Sequence, residues 1–270
     1  MASQITSSGY ILRDSVKLFY EREGKSDSRT ILFVHGLGGT TNSYQPLVSD
    51  LLDFDIVRFD FSGHGRSSVP STSSVESYVA DCEAIINHLG LKDIVVVGHS
   101  LGGLISLHLA AKYPEIVKEV VTFGPVRPVP EAAQKALAAR SSTVRKQGMV
   151  AVADTIISNA FSAKSLSNRK AEVSLAREML TRQDPEGYAL AVDALSQSSA
   201  PVWSQIRGKV VVLSGDEDKV STLAVGANIV SDIGSNAQQV TCKDTGHWHM
   251  LESPEECIKV IKSVASDSSA

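Results

Sequence analysis

Short apolar runs separated by helix-length segments restrict what this chain can fold into more than any other feature. ILFV (31–34), IVRF (56–59), IVVV (94–97), VVTF (120–123), VVVL (210–213) and QVT (239–241) are rich in Val and Ile. Most are apolar throughout rather than alternating, as expected of strands covered by helices on both faces of a parallel sheet. Helical periodicity fills most of the gaps, at Tyr44–Leu52, Val75–Leu89, Leu101–Lys112, Leu223–Ile233 and Pro254–Val264. Two earlier runs, Tyr10–Arg13 and Val16–Glu21, flank Asp14-Ser15 and read as an antiparallel hairpin at the start of the sheet. The pattern predicts an α/β fold with a mostly parallel central sheet flanked by helices.

The alternation stops once. From Pro128 to about Ala200 no strand pattern occurs, and stretches such as EAAQKALAARSSTVRKQ and KAEVSLAREMLTRQ are helical. This is too long for a single crossover. It predicts an inserted cap of three or four helices over residues 128–200, with the core formed by 1–127 and 201–270.

A chain of 270 residues can build one large domain. The net charge of −4 comes without a dense basic stretch, which argues against nucleic acid or an anionic membrane as partner. The three cysteines, Cys82, Cys242 and Cys257, cannot all pair and show no metal-like spacing, so reduced, buried thiols are expected. The N-terminal MASQITSSGYILRDS lacks the apolar core of a signal peptide, no run reaches the roughly 18 apolar residues of a membrane span, and the chain does not end in Ser-Lys-Leu. A cytoplasmic location is the expectation.

The chemistry centres on VVVGHSLGGL (95–104). Gly98-His99-Ser100-Leu101-Gly102 fits G-x-S-x-G between a strand and a helix, where a sharp turn exposes the serine above the carboxyl edge of the sheet. A Cβ two residues either side of Ser100 would collide with the neighbouring elements. The serine also caps a helix N-terminus, which favours developing negative charge. A hydroxyl needs a base before it is a competent nucleophile. Seven histidines are available, and His247 and His249 share the loop KDTGHWHMLESPEE after the last strand. Carboxylates that could orient a base follow another strand in VVVLSGDEDKVST, at Asp216, Glu217 and Asp218. Acyl chemistry needs oxyanion donors as well. The amide of Leu101, after the serine, is one candidate. The glycine-rich ILFVHGLGGT offers the amide of Leu37 as the second. FDFSGHGRSS (59–68) reads as a compact structural loop that holds the oxyanion loop in place, because no nucleotide-binding fingerprint surrounds its glycines.

Together HGLGG, DFSGHGRS, GHSLGG, GDED and TGHWHMLESPEE resemble the α/β-hydrolase family, in the right order and over nearly the whole chain. The resemblance implies the chain order serine, acid, base. It points to Ser100, to Asp218 with Asp216 as alternative, and to His247 with His249 as alternative. Arg140, Val144, Arg145, Gly148-Met149, Met179-Leu180 and Asp184–Tyr188 are similar to the cap of 3-oxoadipate enol-lactonases, although an aromatic pair expected in mid-cap reads Asn159-Ala160-Phe161 here. The implied reaction is two-step hydrolysis of a small carboxylic ester or lactone, with no cofactor or metal required. Phe123, Phe161 and Trp248 are expected to line or border the substrate pocket. The same residues would also serve a cofactor-free haloperoxidase-like perhydrolase, carbon–carbon bond hydrolysis, or a small-molecule receptor on the hydrolase fold.

Overall fold

The computed structural model describes residues 5–266. Eight strands form one sheet: β1 (Ile5–Arg13), β2 (Val16–Gly24), β3 (Thr30–Val34), β4 (Asp55–Asp60), β5 (Ile94–His99), β6 (Val117–Phe123), β7 (Lys209–Gly215) and β8 (Ala237–Cys242). Their order is β1-β2-β4-β3-β5-β6-β7-β8, with β1–β2 and β2–β4 antiparallel and all later pairs parallel. The hairpin closes where expected, Arg13 opposite Val16, with Asp14 in the left-handed region at φ 56°. The fold is therefore an α/β-hydrolase-type arrangement with a mostly parallel sheet. The order in which strands are added reverses between β3 and β5, and sites in such sheets gather at the carboxyl ends beside that switch.

The helices are α1 (Gln45–Val48), α2 (Val75–Leu89), α3 (Leu101–Lys112), α4 (Glu131–Gln147), α5 (Val150–Ala160), α6 (Ala163–Asn168), α7 (Lys170–Thr181), α8 (Pro185–Ser196), α9 (Leu223–Ile233), α10 (His249–Glu252) and α11 (Pro254–Ala265). Every residue of β3, β4 and β5 is buried, which explains their unalternating composition. Helix α3 is buried except at His108 and Lys112, so its pattern is apolar all round rather than one-sided. The helix expected over Tyr44–Leu52 is shorter. A 3-10 turn over Thr41–Tyr44 leads into α1, and Asp50 and Leu51 then donate to the third residue back, which turns the chain towards β4 before a further α-turn can form. Between β6 and β7 there are five helices, α4–α8, and not three or four. Extra breaks fall at Gly148, whose φ of 74° ends α4, and at Ser162, which caps α6. Cys82, Cys242 and Cys257 are buried free thiols. No helix among the described residues is long and apolar enough to cross a membrane.

Buried polar groups fix the loops at the carboxyl edge. Arg58 on β4 is 1% exposed and pairs with Glu21 and Glu23 of β2 while donating to the Thr41 carbonyl at 2.9 Å. A buried charge left without such partners would be strongly destabilising. Asp60, at the end of β4, accepts from the amides of Thr41 (2.7 Å) and Arg66 (2.9 Å), so one carboxylate ties the loop after β3 to the loop after β4. Burial pushes it up to about 6, against the pull of those amides. His35 stacks on Phe61 with ring centroids 4.0 Å apart, donates through Nδ1 to the Gly36 carbonyl and accepts from the Phe61 amide. Burial lowers it to about 4. His64 lies 5.4 Å from His35, is also buried, and is lowered well below its ordinary value by burial and by His35.

These neutral histidines make stability depend on pH. The unfolded chain binds their protons first, near the ordinary value of 6.5, so stability falls as pH drops through 6.5 and continues to fall towards about 4. His35 alone is worth about 2 kcal/mol by pH 5. Asp60 works in the opposite direction below about 6 and offsets part of this loss. The thermal midpoint should therefore drop between pH 7 and pH 5, and the drop should shrink in His64→Phe; an unchanged midpoint in the wild type would contradict neutral burial.

Candidate active site

Ser100 follows β5 directly and begins α3, with φ 52° and ψ −116°. Non-glycine residues avoid that region because Cβ crowds the backbone, and the strain costs about 1–3 kcal/mol. Its surroundings hold it there. The Ser100 amide donates to the Phe123 carbonyl at 3.0 Å, and its carbonyl accepts from the amides of Gly103 and Val126. Side chains at the flanking glycines are excluded by close backbone packing. A Cβ on Gly98 would meet the Gly102 carbonyl and Ser106 Oγ, and one on Gly102 would meet the carbonyls of Val34 and His35.

The loops after β7 and β8, further along the same sheet, deliver the other groups to the same edge. From β7, Asp218 places Oδ2 2.8 Å from His247 Nδ1, and His247 Nε2 lies 2.8 Å from Ser100 Oγ. The carboxylate can only accept, so Nδ1 carries the proton, and Nε2 is left to accept from the serine hydroxyl. The other carboxylate oxygen accepts from the amides of Val220 and Ser221, both at 2.8 Å. Burial works against the charged Asp218, but the charge and hydrogen bond of His247, with help from His249 and the Ser221 amide, hold it below the usual carboxylate range. Asp216 is exposed and accepts only a long bond of 3.3 Å from the Thr245 amide. Of the two aspartates considered from the sequence, Asp218 is the one brought to the imidazole.

His249 takes a different position from His247. Its Nδ1 donates to the His247 carbonyl at 3.0 Å, and its ring stacks on Phe123. The same carbonyl accepts from His99 Nε2 at 2.9 Å, while the His247 amide donates to the Ala160 carbonyl at 2.6 Å. His99 turns into the fold, where it grips the loop that carries His247. Burial lowers both His99 and His249, so each serves as a neutral donor.

Sequence reasoning missed two further supports. Glu252 Oε1 accepts from the Trp248 amide at 3.0 Å, and its Oε2 accepts from Gly246 (3.1 Å) and Ser162 (2.9 Å). Three backbone donors converging on one buried carboxylate fix the loop's shape, and the signal was the Glu in MLESPEE. Gly124 ends β6 with φ 49°, and a Cβ there would lie 2.8 Å from Asp218 Oδ2 and 3.1 Å from His247 Nδ1. That glycine makes room for the carboxylate–imidazole pair, yet in the sequence it follows an ordinary strand.

Leu37 follows Gly36 in the loop after β3, and Leu101 directly follows the serine. A Cβ on Gly36 would fall 2.9 Å from the Ser100 Cβ, which measures how closely the loop after β3 approaches. Leu101 is the first residue of α3, whose cap makes no side-chain hydrogen bond. Among the described residues neither amide has an intramolecular acceptor.

Above these groups lies a cavity of about 720 Å³. Leu37, His99, Ser100, His247 and Trp248 form one wall, while Leu137 and Arg140 of α4, Val152 and Ile156 of α5, and Tyr188 of α8 form another. Trp248 is among its lining residues. Phe123 and Phe161 are not. Phe123 is fully buried beneath His249, where the β6 pleat points it inward, and Phe161 stacks behind Trp248 at 6.2 Å. Of the cavity's two arginines, Arg127 is paired with Asp232, whereas Arg140 has no acidic partner among the described residues. Arg140 faces Tyr188, a phenol that burial raises and Arg140 pulls the other way. No group of His, Cys, Asp and Glu among the described residues is arranged to hold a metal ion.

The chain is 27% identical over 252 residues to the 3-oxoadipate enol-lactonase 2 of Acinetobacter baylyi, covering 92% of this chain and 93% of the relative. The enol-lactonase of Burkholderia xenovorans superposes with a TM-score of 0.88 at 24% identity, over 96% of this chain and all (100%) of that one. A thermophilic esterase from Thermogutta terrifontis gives the same TM-score of 0.88 and 24% identity, over 96% and 97% of the two chains. These two solved structures bear on the fold. The family model for the alpha/beta hydrolase fold matches residues 29–254, from before β3 into the start of α11. With the sheet order, the serine elbow and this match over most of its length, the chain belongs to the α/β-hydrolase fold family.

Proposed function

We propose that the protein is a serine hydrolase of carboxylic esters with lactones preferred, acting through Ser100, His247 and Asp218. The observation that carries this reading is the unbroken relay from Asp218 through His247 to Ser100 at the wall of a large cavity. His247 takes the Ser100 proton as Oγ attacks the carbonyl, and Asp218 stabilises the imidazolium that forms. The amides of Leu37 and Leu101 hold the oxyanion, where preorganised donors lower the barrier most. His247 then protonates the departing alcohol oxygen, which stays tethered if the substrate is a ring. Water enters and His247 removes its proton as the oxygen attacks the acyl carbon; His247 then returns the proton to Ser100 Oγ as the acyl group leaves as a carboxylic acid.

Helices α4–α8, residues 128–200, act in this reading as a cap over a core of 1–127 and 201–270. Their apolar faces restrict the cavity, and Arg140 gives it a cationic spot. An ester or lactone bearing a carboxylate would supply the partner that Arg140 lacks. The enol-lactonase name of the A. baylyi relative agrees with a ring-opening reaction.

The test is turnover of p-nitrophenyl esters and of a lactone panel that includes an enol-lactone. Ser100→Ala should lower kcat at least ~10³-fold while circular dichroism stays unchanged. Multiple turnovers dependent on Ser100 would support the enzyme; tight binding without turnover would favour a receptor instead.

Asp218→Asn should cost on the order of 10³-fold in kcat, because the amide no longer fixes the imidazole tautomer, while Asp216→Asn stays within about twofold. The opposite ranking would move the acid to Asp216.

Arg140→Gln should raise KM roughly tenfold or more for a carboxylate-bearing ester, the loss of one charge-assisted bond, and leave a neutral ester of similar size unaffected. Equal effects on both substrates would remove Arg140 from substrate recognition.

A further inference from the structure

The corner between α7 and α8 sends one side chain out of the helical insertion and into the core. Thr181 ends α7, and Asp184 caps α8 by accepting from the amides of Glu186 and Gly187. Gln183 lies between them and is only 4% exposed. Its Nε2 sits 3.1 Å from the carbonyls of both Gly38 and Gly39, and 3.1 Å from that of Met179. Its Oε1 accepts from the Gly65 amide at 3.1 Å. One carboxamide therefore joins three segments: the insertion, the loop after β3 and the loop after β4. The environment presents three acceptors on one side and one donor on the other. A carboxamide fits that set, while a carboxylate would turn an oxygen towards carbonyls and an ammonium would leave the Gly65 amide unmatched.

The two glycines held by Nε2 directly follow Leu37. The turn is closed by the Gly39 amide donating to the Gly36 carbonyl at 2.9 Å, with Gly38 at φ 75°. Rotating the Gly38 or Gly39 peptide would swing this four-residue turn as a unit, and the Leu37 amide with it. Leu180 packs against Gly38 from the same corner. We propose that Gln183 is a positioning residue: it fixes the turn that aims the Leu37 amide at the developing oxyanion, and so couples the placement of the helical insertion to the rate of the chemical step. The proposal rests on the reading of Leu37 and Ser100 given above.

The test uses the full-length protein and a p-nitrophenyl ester, with Ser100→Ala as control. Gln183→Leu should lower kcat roughly 10- to 100-fold, less than or comparable to deleting one oxyanion donor, with KM changed less than about threefold. If that variant fails to fold, Gln183→Glu supplies the second readout. Protonated, the acid donates one bond towards Gly38 and Gly39 and accepts from Gly65; ionised, it repels both carbonyls. The ratio of its kcat to the wild-type kcat should therefore rise as pH falls from 8 to 5.5. An unchanged kcat in a folded Gln183→Leu, a loss confined to KM, or a flat pH ratio for Gln183→Glu would each overturn the proposal. If Ser100→Ala is dead while the Gln183 variants are unimpaired, only the positioning role falls. If Ser100→Ala turns over normally, the serine reading and this one fall together.

Discussion

The turn at Ser100 is the constraint around which the rest of the molecule is arranged. A serine at φ 52° is unstable on its own, and here it is held by backbone packed on both sides and by its bond to the Phe123 carbonyl. That geometry requires β5 to lie between β3 and β6 with α3 leaving at once from the strand end, so it is inseparable from the sheet order. The contact of Gly102 with the carbonyls of Val34 and His35 locks α3 against the end of β3. The same contact leaves the loop after β3 at the serine, where Leu37 lines the cavity. Strain at one residue is thus maintained by the burial of three strands and a helix that is apolar on every side.

The loop bearing His247 is held by a different device. Its carbonyl receives two imidazole donors, its amide is used by Ala160, and the flanking amides converge on Glu252. Lowered pKa values at His99 and His249 serve this arrangement, since neutral rings add no positive charge beside the imidazolium that His247 becomes during the proposed reaction. The electrostatics near the serine are left to Asp218, whose charge is favoured by that histidine and by two backbone amides.

The helical insertion is bonded to both of these loops. Ala160, at the end of α5, accepts from the His247 amide, Ser162, which caps α6, donates to Glu252, and Ala163 donates to Glu217 beside Asp218. Gln183, after α7, meets the loop after β3. Cavity walls and the loops bearing Ser100 and His247 are parts of one network of backbone hydrogen bonds, so changes that reshape the cavity also bear on the geometry around the serine.

The strands and most helices could be located from the sequence because continuous Val/Ile runs and helical periodicity are local properties. α2, α3 and α9 begin and end where the pattern says. The serine motif, the two loops bearing its partners and the paired glycines at 98 and 102 were legible for a similar reason: steric need at a turn leaves a signature in adjacent residues. Other features had no such signature. The shortened α1 and the fifth helix of the insertion depend on where the chain must turn to meet the sheet. Phe123 and Phe161 look like pocket residues in sequence, yet the strand pleat and the stacking of Trp248 direct them elsewhere. Gly124 and Gln183 act on groups 94 and about 145 residues away, and nothing adjacent to them announces it. The sequence by itself determined the elements, their order and the residue types able to do the chemistry, because these follow from local periodicity and sterics. Only the tertiary structure decided which aspartate meets the imidazole, which aromatics reach the cavity and which buried polar groups hold the loops, because those choices depend on distances between segments that pack together only in the folded chain.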